Sequence, residues 1–287
     1  MKNVFSRPSP SQLNQTTQAQ STKAQRLGHT EDMNRIKTEP DGHPLDDLLQ
    51  PAQQTASPQT ASPQTTSPQT YMPMPLGRPG LDRKITRVQR DVLKMGALVE
   101  NSCLLAKEAL CDRNLDAAKK IRPQDKQIDK LYRQIEVDCT NLLNLEAPVT
   151  QDLRLVSALI QIVRDLERIG DYAKTLGSTA IKLFPYPVHD SMREIETMLD
   201  RCRSMVALCL RSLSELDPEA GRSLKRKDDV VDDDYDRIYN LLISERCVGT
   251  VEPIVLLVLA IKALERIADH ATNVGKRVTF VVTGERF

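Results

Sequence analysis

The chain has 287 residues, enough for one or two domains, and 40 Lys and Arg against 39 Asp and Glu leave a net charge of +1. That balance excludes a global field that would draw the protein to nucleic acid or to anionic lipid. With no Trp and few Phe or Tyr, the core must be aliphatic, which favours helices over an all-β sandwich.

Residues 1–80 are rich in Gln, Thr, Ser and Pro and contain a tandem repeat, Ser57-Pro58-Gln59-Thr60, Ser62-Pro63-Gln64-Thr65 and Ser67-Pro68-Gln69-Thr70. So few aliphatic residues cannot offset the entropy of ordering the chain, and this tail is expected to be disordered. Its Ser-Pro steps read as a plain spacer ahead of phosphorylation sites, and His43 to Leu49 as at most a short docking helix. Met1 to Pro10 lacks the apolar stretch of a signal peptide.

Helical periodicity begins at Leu81. Ile85, Val88, Val92, Met95, Val99, Cys103 and Ala106 make an apolar stripe of period three and four, which predicts a first helix to about Leu110. Asn114 or Asp112 is expected to cap a second helix starting at Leu115, with Pro123 breaking or kinking it before the pattern resumes at Asp125. Ala147-Pro148-Val149-Thr150 is the stop, and Thr150 is the expected N-cap of a third helix over Leu153 to Leu183. Pro185-Tyr186-Pro187 ends it. The order then recurs: a helix over Met192 to Leu213, one from Glu219 through Leu242, and one over Ile254 to Val282, with Thr250 as cap. The longest apolar run, Ile254 to Ile261, is shorter than the roughly 20 residues a membrane span needs.

Sliding the chain along itself by a fixed interval superposes Asp125 on Asp228, Asp129 on Asp232, Tyr132 on Tyr235 and Ile135 on Ile238. A short deletion before the third helix then places Glu167 on Glu265, Arg168 on Arg266 and Asp171 on Asp269. The expected architecture is all-α. It comprises two tandem, pseudo-symmetric three-helix bundles, residues 81–187 and 188–287, each burying its wide apolar face against the other.

Each repeat therefore carries a D-x-x-x-D pair on its second helix and an E-x-x-x-D pair on its third. Residues four apart share a helix face, so four carboxylates can converge in each half. Gathered like charges need a positive partner. The candidates are a cation, or Arg168, Arg266, Lys130 and their neighbours. The candidate ligands are Asp125, Asp129, Glu167 and Asp171 in the first half and Asp228, Asp232, Glu265 and Asp269 in the second. Oxygen-only sets suit hard ions such as Mg, Mn or Ca, or iron in a carboxylate cluster. Zn prefers His or Cys, and His270 is at hand only in the second half. The acid run Asp232-Asp233-Asp234-Tyr235-Asp236 reads as a solvated face at Asp233 at least.

Other chemistries find thin support, a metalloenzyme built on an oxygen-ligated cluster among them. No glycine-rich nucleotide loop is present, and no Ser or Cys has an adjacent His. A di-metal oxidase needs His three residues after its Glu, where this chain has Gly170 and Ala268. Cys103, Cys111, Cys139, Cys202, Cys209 and Cys247 form no C-x-x-C pair and are expected to be buried free thiols.

With D-x-x-x-D and E-R-I-x-D on successive helices of two repeats, residues 81–287 resemble the PhoU family of phosphate-signalling regulators. Glu265 to Asn273 (E-R-I-A-D-H-A-T-N) follows the family pattern closely; Glu167 to Thr175 departs from it, with Tyr172 for His and Thr175 for Asn. The resemblance implies a cytoplasmic, non-enzymatic negative regulator of the phosphate-starvation response. Such a protein links the ATPase subunit of a high-affinity phosphate ABC transporter to a sensor histidine kinase. It reaches the membrane through those partners and forms homodimers or higher oligomers. The resemblance also implies multivalent metal (Mg, Mn, Fe or Zn) at the acidic motifs. The second site, which keeps His270 and Asn273, is expected to be the tighter one.

Overall fold

The computed structural model describes residues 79–244 and 249–285. The expected disordered tail lies outside them, apart from Pro79 and Gly80, which open the first helix; the Ser-Pro repeat, the 43–49 segment and Cys247 also lie outside. Among the described residues there are six helices and no strand: α1 (Pro79–Leu110), α2 (Leu115–Leu145), α3 (Thr150–Leu183), α4 (Met192–Glu215), α5 (Pro218–Ser244) and α6 (Glu252–Thr283). No described helix is long and apolar enough to cross a membrane.

The apolar stripes become the core. Val92, Met95 and Val99 of α1 are fully buried, as are Leu159, Ile162 and Leu166 of α3, and Ala260, Ile261 and Leu264 of α6 lie with them. Each such aliphatic side chain contributes about 1.5–3 kcal/mol on burial. α3 packs on α1, α2 and α6, while α6 packs on α4, α5 and α3; α1 also meets α4. The third helix of each repeat thus stands at the centre, which is where the E-R-I-x-D segments lie. α3 and α6 run antiparallel: Arg154 reaches the Val281 carbonyl at one end, and the Tyr186 hydroxyl, just past α3, donates to Glu252 at the other (2.6 Å).

Within each repeat the second helix crosses the third at a glycine. A Cβ on Gly177 would stand 2.7 Å from Ile121 Cδ1; one on Gly275 would stand 2.5 Å from Leu224 Cδ1 and 2.8 Å from the Gly221 carbonyl oxygen. Gly177 matches Gly275, and Ile121 matches Leu224, in the same alignment that pairs the acidic residues. The close approach brings the acids of α2 up to α3, and those of α5 up to α6.

Three local expectations are corrected. Of the break or kink expected at Pro123, the break does not occur: α2 runs unbroken through it. Proline cannot donate to the carbonyl one turn back, but Ala117, Ala118, Ile121, Asp125 and Ile128 are buried on both sides of it, and that packing carries the helix through. Thr150 is the first residue of α3 rather than its cap, with φ +40; Val149 occupies the cap position without a side-chain hydrogen bond. Thr150 instead follows the Ala147-Pro148-Val149 connection, of which Pro148 is buried, and the Asp152 N–H is satisfied by the Val149 carbonyl (3.1 Å). Val251, not Thr250, is the cap residue of α6, although the Thr250 hydroxyl still accepts from the Glu252 N–H (3.3 Å). Asn114 caps α2 as expected, accepting from the Asp116 and Ala117 N–H groups (both 3.1 Å).

Cys103, Cys139, Cys202 and Cys209 are buried free thiols, and Cys111 is half-buried. Burial raises the thiol pKa of Cys103, Cys111 and Cys139 to about 12 and pushes Cys202 and Cys209 up as well.

Candidate metal-binding faces

The fold gathers the eight predicted carboxylates into two groups of four. In the first repeat Asp125 is buried at 6% exposure, and Asp129, Glu167 and Asp171 are half-buried. Burial raises the pKa of Glu167, and the nearby charges of Asp171 and Asp129 raise it further. In the second repeat Asp228 is 4% exposed, and Asp232, Glu265 and Asp269 are half-buried. Burial likewise raises Asp232, reinforced by Asp228, Asp269 and Glu265. Asp228 is raised by burial, partly offset by Lys225. In each half the two helical pairs therefore form one electrostatically coupled group.

The arginine after each glutamate makes the same fork in both repeats. Arg168 Nε lies 3.3 Å from Glu167 and its Nη1 3.2 Å from Asp171; Arg266 Nε lies 3.4 Å from Glu265 and its Nη1 2.9 Å from Asp269. Lys262 adds a pair with Glu265 at 2.7 Å. Both arginines are about half exposed, so these contacts orient the acids more than they stabilise the fold.

Lys174 was not singled out in the sequence. Its ammonium sits 2.8 Å from Asp125 and 2.7 Å from Asp171, tying α2 to α3. Asp228 meets Lys225 only through Oδ2, at 3.3 Å; its Oδ1 is buried with no hydrogen-bond partner. Buried anionic oxygens without a partner are rare and costly, so this one is the structural observation that a cation fits. As the side chains stand, with arginines and lysines drawn onto them, no three Asp, Glu, His or Cys residues among those described are grouped around one ion position. Ligation would require Glu265 and Asp269 to turn from Arg266.

His270 turns toward the other repeat. Asp165, only 7% exposed on α3, accepts from His270 Nδ1 (2.9 Å) and Arg277 Nε (3.3 Å), and Tyr172 stacks on the imidazole with ring centroids 5.9 Å apart. His270 and Tyr172 occupy equivalent positions in the two repeats, so the place where the motifs differ is where they touch. In the acid run, Asp233 and Asp236 are exposed as expected of a solvated face. Asp234 is buried at 4% and binds Arg201 of α4 (2.6 Å) and Arg237 (2.7 Å). A single buried aspartate within an acid run is invisible without knowing which side of α5 faces α4.

A family model described as the PhoU domain matches the chain twice, over residues 92–180 and 195–278. The chain is 51% identical over 210 residues to the "Phosphate-specific transport system accessory protein PhoU homolog" of Synechocystis sp., an alignment covering 73% of this chain and 94% of that one. Among solved structures, PhoU from Pseudomonas aeruginosa superposes with a TM-score of 0.70 at 29% identity, covering 71% of this chain and all of the other. The phosphate transport system regulatory protein PhoU from Streptococcus pneumoniae gives 0.67 at 25% identity, covering 72% and 99%. Two domain matches, one in each three-helix repeat, and a relative at 51% identity place this chain in the PhoU family.

Proposed function

We propose that this protein is a regulatory accessory of phosphate-specific transport that keeps the phosphate-starvation response off when phosphate is plentiful. In this reading it is a cytoplasmic adaptor rather than an enzyme, possessing no role in bond-making. It relays the state of a high-affinity phosphate ABC transporter, through the ATPase subunit, to a sensor histidine kinase. The observation that carries the reading is family membership with a 51% identical relative that bears the transport-accessory name. The double acidic face is the structural feature it uses.

Asp125, Asp129, Glu167 and Asp171 on one face, and Asp228, Asp232, Glu265 and Asp269 on the other, are the residues that would hold divalent or trivalent metal, of the Mg, Mn, Fe or Zn class. Bound there, metal would supply positive charge that balances the gathered carboxylates and leaves them able to share a ligand with an anionic partner surface. The orphaned Asp228 Oδ1 supports that role. α2 and α3 present one face and α5 and α6 the other, and α3 packs on α6 between them. We assign the working form as a homodimer or higher oligomer.

The test is genetic. Deleting the gene should make high-affinity phosphate uptake and starvation-gene expression constitutive in phosphate-replete cells. Normal repression in the deletion strain would sink the regulatory reading.

A further inference from the structure

The first turns of α3 and the last turns of α6 border an open groove of about 580 Å3 that no Asp or Glu lines. Arg154, Lys276 and Arg277 line it, together with the hydroxyl residues Thr150 and Ser157. All three cations are half-buried. Lys276 makes no ion pair or hydrogen bond among the described residues. Arg154 meets no carboxylate: it reaches the Val281 carbonyl at 3.5 Å and lies over the Phe280 ring, 5.7 Å from its centroid. Arg277 spends Nε alone on Asp165, 3.3 Å away, and Asp165 is shared with His270. The one acid of the first turns of α3, Asp152, has Asp82 of α1 as its charged neighbour and is not part of the wall.

The related groove at the other end of the α3–α6 pair has a different charge balance. The repeat places Ser178 where Lys276 stands and Thr179 where Arg277 stands. Its half-buried cations are held by acids, Lys174 by Asp125 and Asp171 and Lys262 by Glu265, and its other cations, Arg122, Lys182 and Arg266, are exposed. Half-buried positive charge without a carboxylate of its own is thus concentrated in the first groove. Cations drawn partly out of water without a partner are a cost to the fold, which an anion in the groove removes. A single carboxylate offers two oxygens, far fewer than two guanidinium forks, an ammonium and two hydroxyls can engage. A phosphate ester carries about −1.5 to −2 charges at pH 7, so two linked phosphates match the three cations in charge and in acceptor oxygens.

We infer that this groove binds a diphosphate-bearing anion, either free diphosphate or the diphosphate of a nucleotide, with Arg154, Lys276 and Arg277 as its charged donors. The site is separate from the acidic faces, since none of their eight carboxylates lines it. Its donors come from both repeats, Arg154 from α3 and Lys276 and Arg277 from α6. An occupant therefore touches both halves of the chain at once and strengthens the pairing of α3 with α6.

The test is calorimetric. Full-length protein, in chelator so that metal at the acidic faces plays no part, is titrated with sodium diphosphate, with ADP and, as a charged control without phosphate, with citrate. The wild type should take up about one equivalent of diphosphate or of ADP, and citrate should bind at least about tenfold more weakly. Arg154→Gln and Lys276→Gln should each weaken binding at least about tenfold, as loss of a charge-assisted hydrogen bond does. Lys182→Ala, in the other groove, should leave it unchanged. Lys276 has no partner to lose, so Lys276→Gln keeps the fold, which circular dichroism verifies. ADP binding at least about tenfold tighter than diphosphate assigns the site to a nucleotide; equal or weaker ADP binding assigns it to the free anion. No binding of either compound by the wild type, citrate bound as tightly as diphosphate, or undiminished binding by Lys276→Gln overturns the inference. Uptake of an oligoglutamate peptide with no uptake of either phosphate compound makes the groove a docking site for acidic protein and overturns it as well.

Discussion

Asp228→Asn separates the requirements of folding from those of the acidic face. Asp228 is a 4%-exposed carboxylate on α5 whose pKa is raised by burial, and its Oδ1 has no hydrogen-bond partner. An unsatisfied buried polar group costs about 1–3 kcal/mol, and Asn keeps the shape while removing the charge. What Asn loses is the charge in the 3.3 Å contact with Lys225, whose ammonium keeps Asp229 at 2.8 Å. In chelator at neutral pH, the variant should therefore be as stable as the wild type or more so, by up to about 1.5 kcal/mol. Urea unfolding followed by circular dichroism reads this as a higher midpoint at an unchanged slope. Adding Mn2+ should then reverse the order: the wild type gains RT ln(1 + [L]/Kd), about 2.7 kcal/mol at a hundredfold excess over Kd, and the variant gains little. A variant destabilised by more than about 1 kcal/mol in chelator would refute the claim that this aspartate is held at a cost to the fold.

The pH profile carries the same logic. Glu167, Asp228 and Asp232 have raised pKa values, so the folded state binds their protons more tightly than the unfolded one. Their contribution favours folding below the ordinary carboxylate range of about 4 and is lost as pH rises through the raised folded values. Metal-free wild type should accordingly lose stability over that window more steeply than Asp228→Asn; parallel curves from pH-dependent urea midpoints would contradict it. Gly275→Ala should destabilise by about 1–3 kcal/mol, because the new methyl meets the Gly221 backbone as well as Leu224, and helices cannot yield as side chains do. Gly177→Ala meets chiefly the tip of Ile121, and the gain in helix propensity of up to about 1 kcal/mol should offset most of that contact. Equal thermal unfolding midpoints for the two variants would be the adverse result. Thiol labelling at pH 8 should leave Cys103, Cys139, Cys202 and Cys209 unmodified in native protein and modify all of them in urea, since all four are buried with raised pKa values. Peptide mapping that finds fast native labelling at any of these four would show that the core opens.

The helices and the internal repeat were legible because long aliphatic stripes have no other period to obey. The repeat register also predicted which carboxylates meet, since Asp125 and Asp228 fall on matching turns beside Asp171 and Asp269. What stands between the carboxylates was hidden. Lys174 lies three residues after Asp171, a spacing found on any solvated helix, and only the α2–α3 crossing at Gly177 shows that its ammonium also reaches Asp125. Asp165 and His270 are distant in sequence and meet only because α3 and α6 run antiparallel. Pro123 does not break α2 because residues on either side of it are buried, which local propensity does not register.

In the proposed function, carboxylates gathered on α2 and α3, and on α5 and α6, hold metal for a phosphate-responsive adaptor. Elemental analysis of protein purified from phosphate-replete cells tests it most directly. The wild type should carry bound metal, and a variant with Asp228, Asp232, Glu265 and Asp269 all changed to Ala should carry none at the second face. Equal metal content in the two proteins would contradict the account.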